Sequence, residues 1–299
     1  MNIDEKMKVL VTGSEGFIGR AISKALIAKG MDLIGVDLKP SNQLSNNFIE
    51  LNLNSLELDV LIKSQMPDVV IHAAAQSDVG ESIKHPKLDS EMNIVATNSL
   101  LESFLSNGGK HFIYLQSGGA IYNYDSEFPI AEDGSVKPIS PYGLSKLTSE
   151  RYVELLCESA GVSWTSLALS NCYGPVDQNK KGVIYNFWDA ISKDISPVIN
   201  GTNVTRDFIH INDVVEAVLL VLNKPTNSRI NISSSIEVSL GELYELICEV
   251  LKKDLNPILN SPIKGQITRS ALSNKKAKEV LGWEQKIDLR KGIELMESE

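Results

Sequence analysis

The chain has 299 residues, 42% of them hydrophobic, and a formal net charge of −9. That length supports one large or two modest domains with a sizeable core, while the acidic balance argues against general nucleic-acid binding, which needs a basic face. No apolar run approaches the roughly 18 residues that span a bilayer, and the N-terminal MNIDEKMKVL lacks the apolar stretch of a signal peptide, so a cytoplasmic protein with no membrane insertion is expected.

Residues 8–12, KVLVT, form a short apolar run that predicts a strand. Gly13, Gly16 and Gly19 follow at once, then the helical pattern Ile18, Ile22, Ala25, Leu26. A strand, a glycine turn and a helix in that order are the context in which small residues let backbone approach a pyrophosphate seated on the helix N-terminus. A second strand over 32–36 ends at Asp37, 18 residues after Gly19. A carboxylate there accepts hydrogen bonds from ribose hydroxyls and repels a 2′-phosphate, favouring NAD over NADP. The alternation continues with a strand at 48–51, a helix near 56–63 and a strand at 68–72, followed by Ala73, Ala74 and Ala75. His72, at the end of that strand, reads as structural. A long helix over 86–107 carries Asn93, and a fifth strand over 111–115 leads into Gln116, Ser117, Gly118 and Gly119. Near-continuous apolar strands separated by helices predict an α/β chain with a doubly wound parallel sheet covered on both faces. Ligands of such sheets sit at the strand carboxyl ends, which places Gln116 and Ser117 beside a cofactor.

The segment Ser140-Pro141-Tyr142-Gly143-Leu144-Ser145-Lys146 carries the chemistry. Pro141 suits the first position of a helix, so Tyr142 and Lys146, four apart, share one face. Bringing a phenol from about pH 10 to about 7 requires roughly 4 kcal/mol, and one cation about 4 Å away at an effective dielectric of about 20 supplies that much. Beyond residue 172 the alternation loosens. A helix over 183–193, a strand at 197–200, a stretch at 207–211, a helix over 213–222 capped by Asn212, and a capping box from Ser239 to Glu242 are expected. Cys157, Cys172 and Cys248 are widely spaced in apolar stretches, as reduced core thiols are, and no metal site is expected. Residues 1–171 are expected to bind the dinucleotide and 172–299 mainly the substrate, although later segments can return to the first part.

The ordered set Gly13/Gly16/Gly19, Asp37, VIHAAA (70–75), VGES (79–82), SGGAIY (117–122), SPYGLSK (140–146), SNCYGP (170–175), TRDFIHINDV (205–214) and KAKEVLGW (276–283) resembles the extended short-chain dehydrogenase/reductases across essentially the whole chain. Within them it is similar to the NAD-dependent epimerase/dehydratase branch, nearest to the UDP-glucose 4-epimerases. The resemblance implies a Rossmann-type fold, bound NAD, a nucleotide-diphosphate sugar as substrate, and a homodimer built from the 86–107 and 141–160 helices. It assigns Gly13, Gly16, Phe17, Ile18 and Gly19 to the pyrophosphate, Asp37 to the adenosine ribose and Asn52 and Leu53 to the adenine side. Ala73, Ala74, Ala75, Asn93 and Gln116 fall along the rest of the cofactor. Tyr142 is the implied base, with Lys146 on the nicotinamide ribose and lowering the tyrosine pKa. Ser117, Gly118, Asn171, Arg206 and Arg269 fall on the substrate side.

The chain also departs from that pattern. Most relatives carry a serine or threonine where Gly118 stands, which leaves Ser117 as the nearest hydroxyl. Ala120 replaces a second hydroxyl position, and Ala168 a common arginine. Dehydratases carry an Asp-Glu pair where Gly119 and Ala120 stand, so 4,6-dehydration is not expected. A diphosphate-clamping arginine is replaced by Ile263, with Lys264 adjacent; lysine offers a point charge and not a fork. Three functions follow in order of expectation: a nucleotide-sugar 4-epimerase, a 4-keto-sugar reductase, and a non-catalytic dinucleotide sensor.

Overall fold

The computed structural model describes residues 7–39, 47–123, 125, 127–175, 182–262 and 267–298. Six strands, β1 (Lys8–Thr12), β2 (Asp32–Asp37), β3 (Phe48–Glu50), β4 (Val69–His72), β5 (His111–Ser117) and β6 (Ser163–Leu169), join a later strand, Ser228–Ile232. All seven run parallel in the order Ser228–Ile232, β6, β5, β4, β1, β2, β3. The two-residue period of a strand sorts their side chains between two apolar layers. Val9, Val11, Ile71 and Ile113 face one way, against Ile22 and Leu26 of the Phe17–Ala28 helix and Val214 and Val218 of the Ile211–Asn223 helix. Leu10, Val70, Phe112 and Tyr114 face the other, against Ile62, Leu100, Phe104 and Val153. A sheet buried on both faces is therefore built from strands with no polar side, as expected. Its winding reverses between β1 and β4, and the crevice beyond the strand carboxyl ends opens there.

A third cluster, including Trp188, Ile191, Phe208, Leu243 and Ile247, forms the core of the later part of the chain. The Ser239–Glu242 capping box forms, with Glu242 N donating to Ser239 Oγ at 3.1 Å and Ser239 N to Glu242 Oε2 at 2.8 Å. Cys157, Cys172 and Cys248 are all free thiols. No helix among the described residues is long and apolar enough to cross a membrane.

Several boundaries differ from the sequence expectation. The helix expected over 86–107 is Pro86–Ser90, a π-helical turn Glu91–Val95, and Ala96–Ser106. The helix expected from residue 213 begins at Ile211, and its cap is His210 and not Asn212: the His210 ring accepts from Asn212 N at 3.3 Å. β6 and the Ser228–Ile232 strand have no counterpart in the sequence expectation, because buried polar residues interrupt their apolar runs. Each such residue has a partner. Thr165 Oγ1 is 3.0 Å from His111 Nε2, Ser166 Oγ donates to Glu150 Oε1 at 2.5 Å, and Arg229 pairs with Glu150. One of the two edge strands of the sheet thus comes from beyond residue 172. Ile263 and Lys264 lie outside the described residues.

Two histidines are buried within the sheet. Thr12 Oγ1 and Thr97 Oγ1 lie 2.7 and 2.9 Å from the two ring nitrogens of His72. Burial, helped by the Lys146 charge, pushes His72 down to about 3, and burial pushes His111 down to about 4. The unfolded chain takes up these protons near its ordinary value of 6.5 while the fold cannot. Stability is therefore lost as pH falls below that value. Thermal melts should show the midpoint dropping between about pH 6.5 and 5, with a shallower drop in His111→Gln. An identical slope in the variant would contradict the assignment.

Candidate active site

The crevice at the switch point is a cleft of about 1360 Å³, larger than the roughly 300–1,000 Å³ of a typical small-ligand site. One end is made by the turn after β1. Gly16 N donates to Gly13 O at 3.0 Å, and a Cβ on Gly19 would lie only 2.0 Å from that same oxygen. A Cβ on Gly13 would come within 2.7 Å of Ala74 N. Loop, helix and β4 end are thus pressed together with no side chain between them. The Phe17–Ala28 helix has no side-chain cap at Gly16, and its N-terminal turn points an anion-favouring dipole into the cleft. Gly13, Gly16, Phe17, Ile18, Gly19, Ala73 and Ala75 line this end. Asp37, at the end of β2, accepts from Glu15 N at 2.9 Å and Lys39 N at 3.1 Å, and its two oxygens retain lone pairs for a further donor. A pyrophosphate cradle beside a fixed carboxylate fits a dinucleotide without a 2′-phosphate.

The other end is organised by the Pro141–Ala160 helix. Ser140 caps it, accepting from Gly143 N at 3.1 Å, Pro141 opens its first turn and Gly161 closes it at φ 66°. A Cβ on Gly143 would lie 2.3 Å from Ala120 O, so only glycine lets the helix start meet the Gly118–Ile121 turn after β5. That contact puts Tyr142 and Ser117 in the same wall of the cleft. Lys146, buried, places Nζ 4.0 Å from the centre of the Tyr114 ring. Burial pulls Lys146 down to about 7, opposed by Glu150 and then Asp89. Burial raises Tyr142, the nearby Ser117 side chain opposes that, and Asp89 adds to it. Tyr142, Lys146, Ser117, Gly119 and Asn171 share the cleft wall.

Other expected site residues sit behind or away from that wall. Gln116 reaches the lining, but its amide is engaged: Nε2 donates to Lys146 O at 3.0 Å and Oε1 accepts from Ser117 N at 2.8 Å. Asn93 is buried on the π turn, where Oδ1 accepts from Gln76 N at 2.9 Å and Nδ2 donates to Gln76 O at 3.0 Å. It therefore acts on the cleft through the Gln76 loop. Ala74 packs toward the core, Leu53 is buried in it, and Asn52 Oδ1 accepts from Asn54 N at 2.9 Å; none of the three lines the cleft. Gly118 is turned away from it, with Leu272 Cδ1 2.3 Å from where a Cβ would stand. Arg206 Nη1 donates to the carbonyls of Thr205 and Ile267, at 2.7 and 3.0 Å. Arg269 is exposed and pairs with Glu237, Nη2 to Oε2 at 3.0 Å. Neither arginine lines the cleft.

The sequence reasoning missed Asp89, Ser145 and Tyr114. Asp89 is fully buried and accepts from Ser145 Oγ at 2.6 Å. Its only sequence signal was a polar residue on the inward side of an otherwise amphipathic helix.

The sheet, the cradle and the tyrosine–lysine pair define a dinucleotide-dependent enzyme of the Rossmann type. Residues 9–233 match the NAD dependent epimerase/dehydratase family, and the chain belongs to that family, with NAD as its cofactor. It is similar to a UDP-glucose 4-epimerase of Mycolicibacterium smegmatis, 30% identical over 301 residues and 96% of each chain. It is also similar to a dTDP-4-dehydro-6-deoxyglucose reductase of Escherichia coli, 31% identical over 304 residues, 97% of this chain and 96% of that one. Among solved structures, a UDP-glucose 4-epimerase from Thermotoga maritima, crystallised with UDP-glucose, superposes with a TM-score of 0.93 at 35% identity over 97% of each chain.

The orientation of the two glycines after Ser117 is testable. Gly118→Ser, which adds the hydroxyl that the family resemblance led to expect, pushes into the buried Leu272 and should cost about 1–3 kcal/mol of stability with no gain in turnover. Gly119→Ser, whose Cβ would meet nothing nearer than Asn171 Nδ2 at 3.9 Å, should melt like the parent. Equal melting of the two variants would contradict the geometry.

Proposed function

We propose that the chain is a nucleotide-sugar 4-epimerase acting through a transient 4-keto sugar. The observation that carries this is the Tyr142 phenol in the cleft wall beside Ser117, with Lys146 one helical turn on. When bound, NAD supplies the hydride acceptor and donor and a positively charged ring. Gly13, Gly16, Phe17, Ile18 and Gly19 hold its pyrophosphate, Asp37 its adenosine ribose and Lys146 the second ribose. Burial holds Tyr142 above its ordinary pKa, so the base needs added positive charge, and the Lys146 ammonium is the protein's source of it. Tyr142 takes the proton of the C4 hydroxyl as that carbon becomes a ketone and returns it once the sugar has turned over. Ser117 hydrogen-bonds the same oxygen, which is the task of the hydroxyl missing at Gly118. Asn171 is assigned to the sugar diphosphate. Arg206 and Arg269 stand outside the cleft and reach the diphosphate only on leaving the Thr205 and Ile267 carbonyls and Glu237.

A 4-keto-sugar reductase, favoured by the likeness to the Escherichia coli reductase, needs only half of this cycle. Nucleotide sugars should be screened with and without added NADH, with products read by mass and C4 configuration. Interconversion of C4 epimers without added cofactor supports the epimerase, and product formed only with stoichiometric NADH overturns it. Tyr142→Phe should lose at least about a thousandfold in turnover while retaining NAD; turnover near the parent's would sink Tyr142 as the base.

A homodimer is part of the same proposal. Leu144 and Leu155, three turns apart on the Pro141–Ala160 helix, are exposed, as are Leu88 before the π turn and Val95 at its end. Two copies can bury these faces against each other. Light scattering should find a dimer and Leu155→Glu should give monomers; a monomeric parent would remove this part.

A further inference from the structure

The Tyr142–Lys146 pair is surrounded by buried charge that the proposed reaction does not itself use. Groups facing Lys146 are Glu150 from its own helix, Asp89 from the Pro86–Ser90 helix, the Tyr114 ring from β5 and His72 from β4, and Tyr142 lies one helical turn before it in the same cleft lining. Glu150 already has a full partner: Arg229 Nε lies 2.9 and 3.1 Å from its two oxygens, and Arg229 Nη2 and Ser166 Oγ also donate to it. His72 is neutral over the working range, because burial keeps it down near 3. Asp89 has no cationic hydrogen-bond partner among the described residues. Its Oδ1 accepts from Asn93 Nδ2 at 3.0 Å and Gln76 Nε2 at 3.1 Å, and its Oδ2 from Ser145 Oγ at 2.6 Å. A carboxyl that only accepts, from three neutral donors, is arranged for the ionised form. A fully buried carboxylate is costly unless a charge balances it. Lys146, next in sequence to Ser145, is a buried cation with no carboxylate hydrogen-bonded to it among the described residues.

Resting on the assignment of Lys146 above, we propose that Asp89 is a positioning residue for the reaction: its carboxylate is the counter-charge that keeps the Lys146 ammonium protonated beside Tyr142. The four buried charges then balance, Lys146 against Asp89 and Arg229 against Glu150. The π turn serves this arrangement. The extra residue it inserts in the helix lets Asn93 donate to Asp89 and to the Gln76 carbonyl together. The carboxylate that faces the lysine and the shape of the Gln76 loop are thereby set by one hydrogen-bonded cluster.

Because the ammonium form is the working one, activity is lost as pH rises through the pKa of Lys146. In NAD-loaded enzyme, Asp89→Asn should move the alkaline limb of the pH–rate profile down by about one unit, a tenfold loss above the limb. Ser145→Ala, which removes a hydrogen bond and no charge, should leave the limb in place. A limb unmoved by Asp89→Asn, or moved as far by Ser145→Ala, would overturn the proposal. A melting cycle tests the charge pair without reference to turnover. Asp89→Asn should lower the melting temperature of the parent and raise that of Lys146→Met, in which the carboxylate is left unbalanced. Equal losses in both backgrounds would refute the pairing even if Lys146 proves catalytic. If instead Lys146→Met keeps full turnover while the cycle shows coupling, the catalytic assignment fails and the pairing stands.

Discussion

The approach of the Pro141–Ala160 helix to the turn after β5 is the contact on which the site depends. Gly143 lies so close to Ala120 O that a methyl group there would be 2.3 Å from it. Any larger residue would lift the helix start, and Tyr142 would part from Ser117. Ser140 as cap and Pro141 in the first turn fix where the helix begins. The same seating puts Lys146 on the Tyr114 ring and lets Tyr114 and Gln116 both bond its carbonyl, at 3.2 and 3.0 Å. Backbone packing, and not the reactive side chains alone, is what brings phenol, hydroxyl and ammonium together.

Electrostatics then decides what this assembly can do. Desolvation acts against both members of the pair, raising Tyr142 and lowering Lys146. A protein that buries a lysine this deeply must return the lost stabilisation with negative charge, and Glu150 and Asp89 both act in that direction. Asp89 also raises Tyr142, as the last of the causes acting on it. The cluster therefore holds the cation first, and leaves ionisation of the phenol to positive charge arriving in the cleft. The opposite end needs little side-chain charge, since uncapped amides and a helix dipole suit an anion. This explains how a chain of net charge −9 can carry a site for anionic ligands.

Much of this was legible in the residues. Strands β1, β2, β4 and β5 are short apolar runs whose alternation is unbroken, and the glycine spacing and the Ser140–Lys146 segment carry their own geometry. β6 and the Ser228–Ile232 strand were not legible, because Thr165, Ser166, Arg229 and Asn231 look like surface residues until their partners 16 to 109 positions away are known. Asp89 was hidden for the same reason: nothing local announces that Ser145, 56 residues later, will meet it. The π turn is likewise a tertiary effect inside a segment whose periodicity reads as plain helix. Gly118 misled in the opposite sense. The family resemblance suggested a missing hydroxyl, whereas the backbone turns that residue toward Leu272 and leaves Ser117 in the cleft wall with Tyr142.

The central claim is that the phenol of residue 142 ionises near neutral pH once cofactor and lysine charge stand beside it. Ultraviolet difference titration of NAD-loaded protein measures this directly, with Tyr142→Phe as the blank. The account predicts a phenolate band appearing near pH 7, absent from the blank and moved to higher pH in Lys146→Met. A band that appears only at about pH 10 or above, the ordinary tyrosine range, would contradict it.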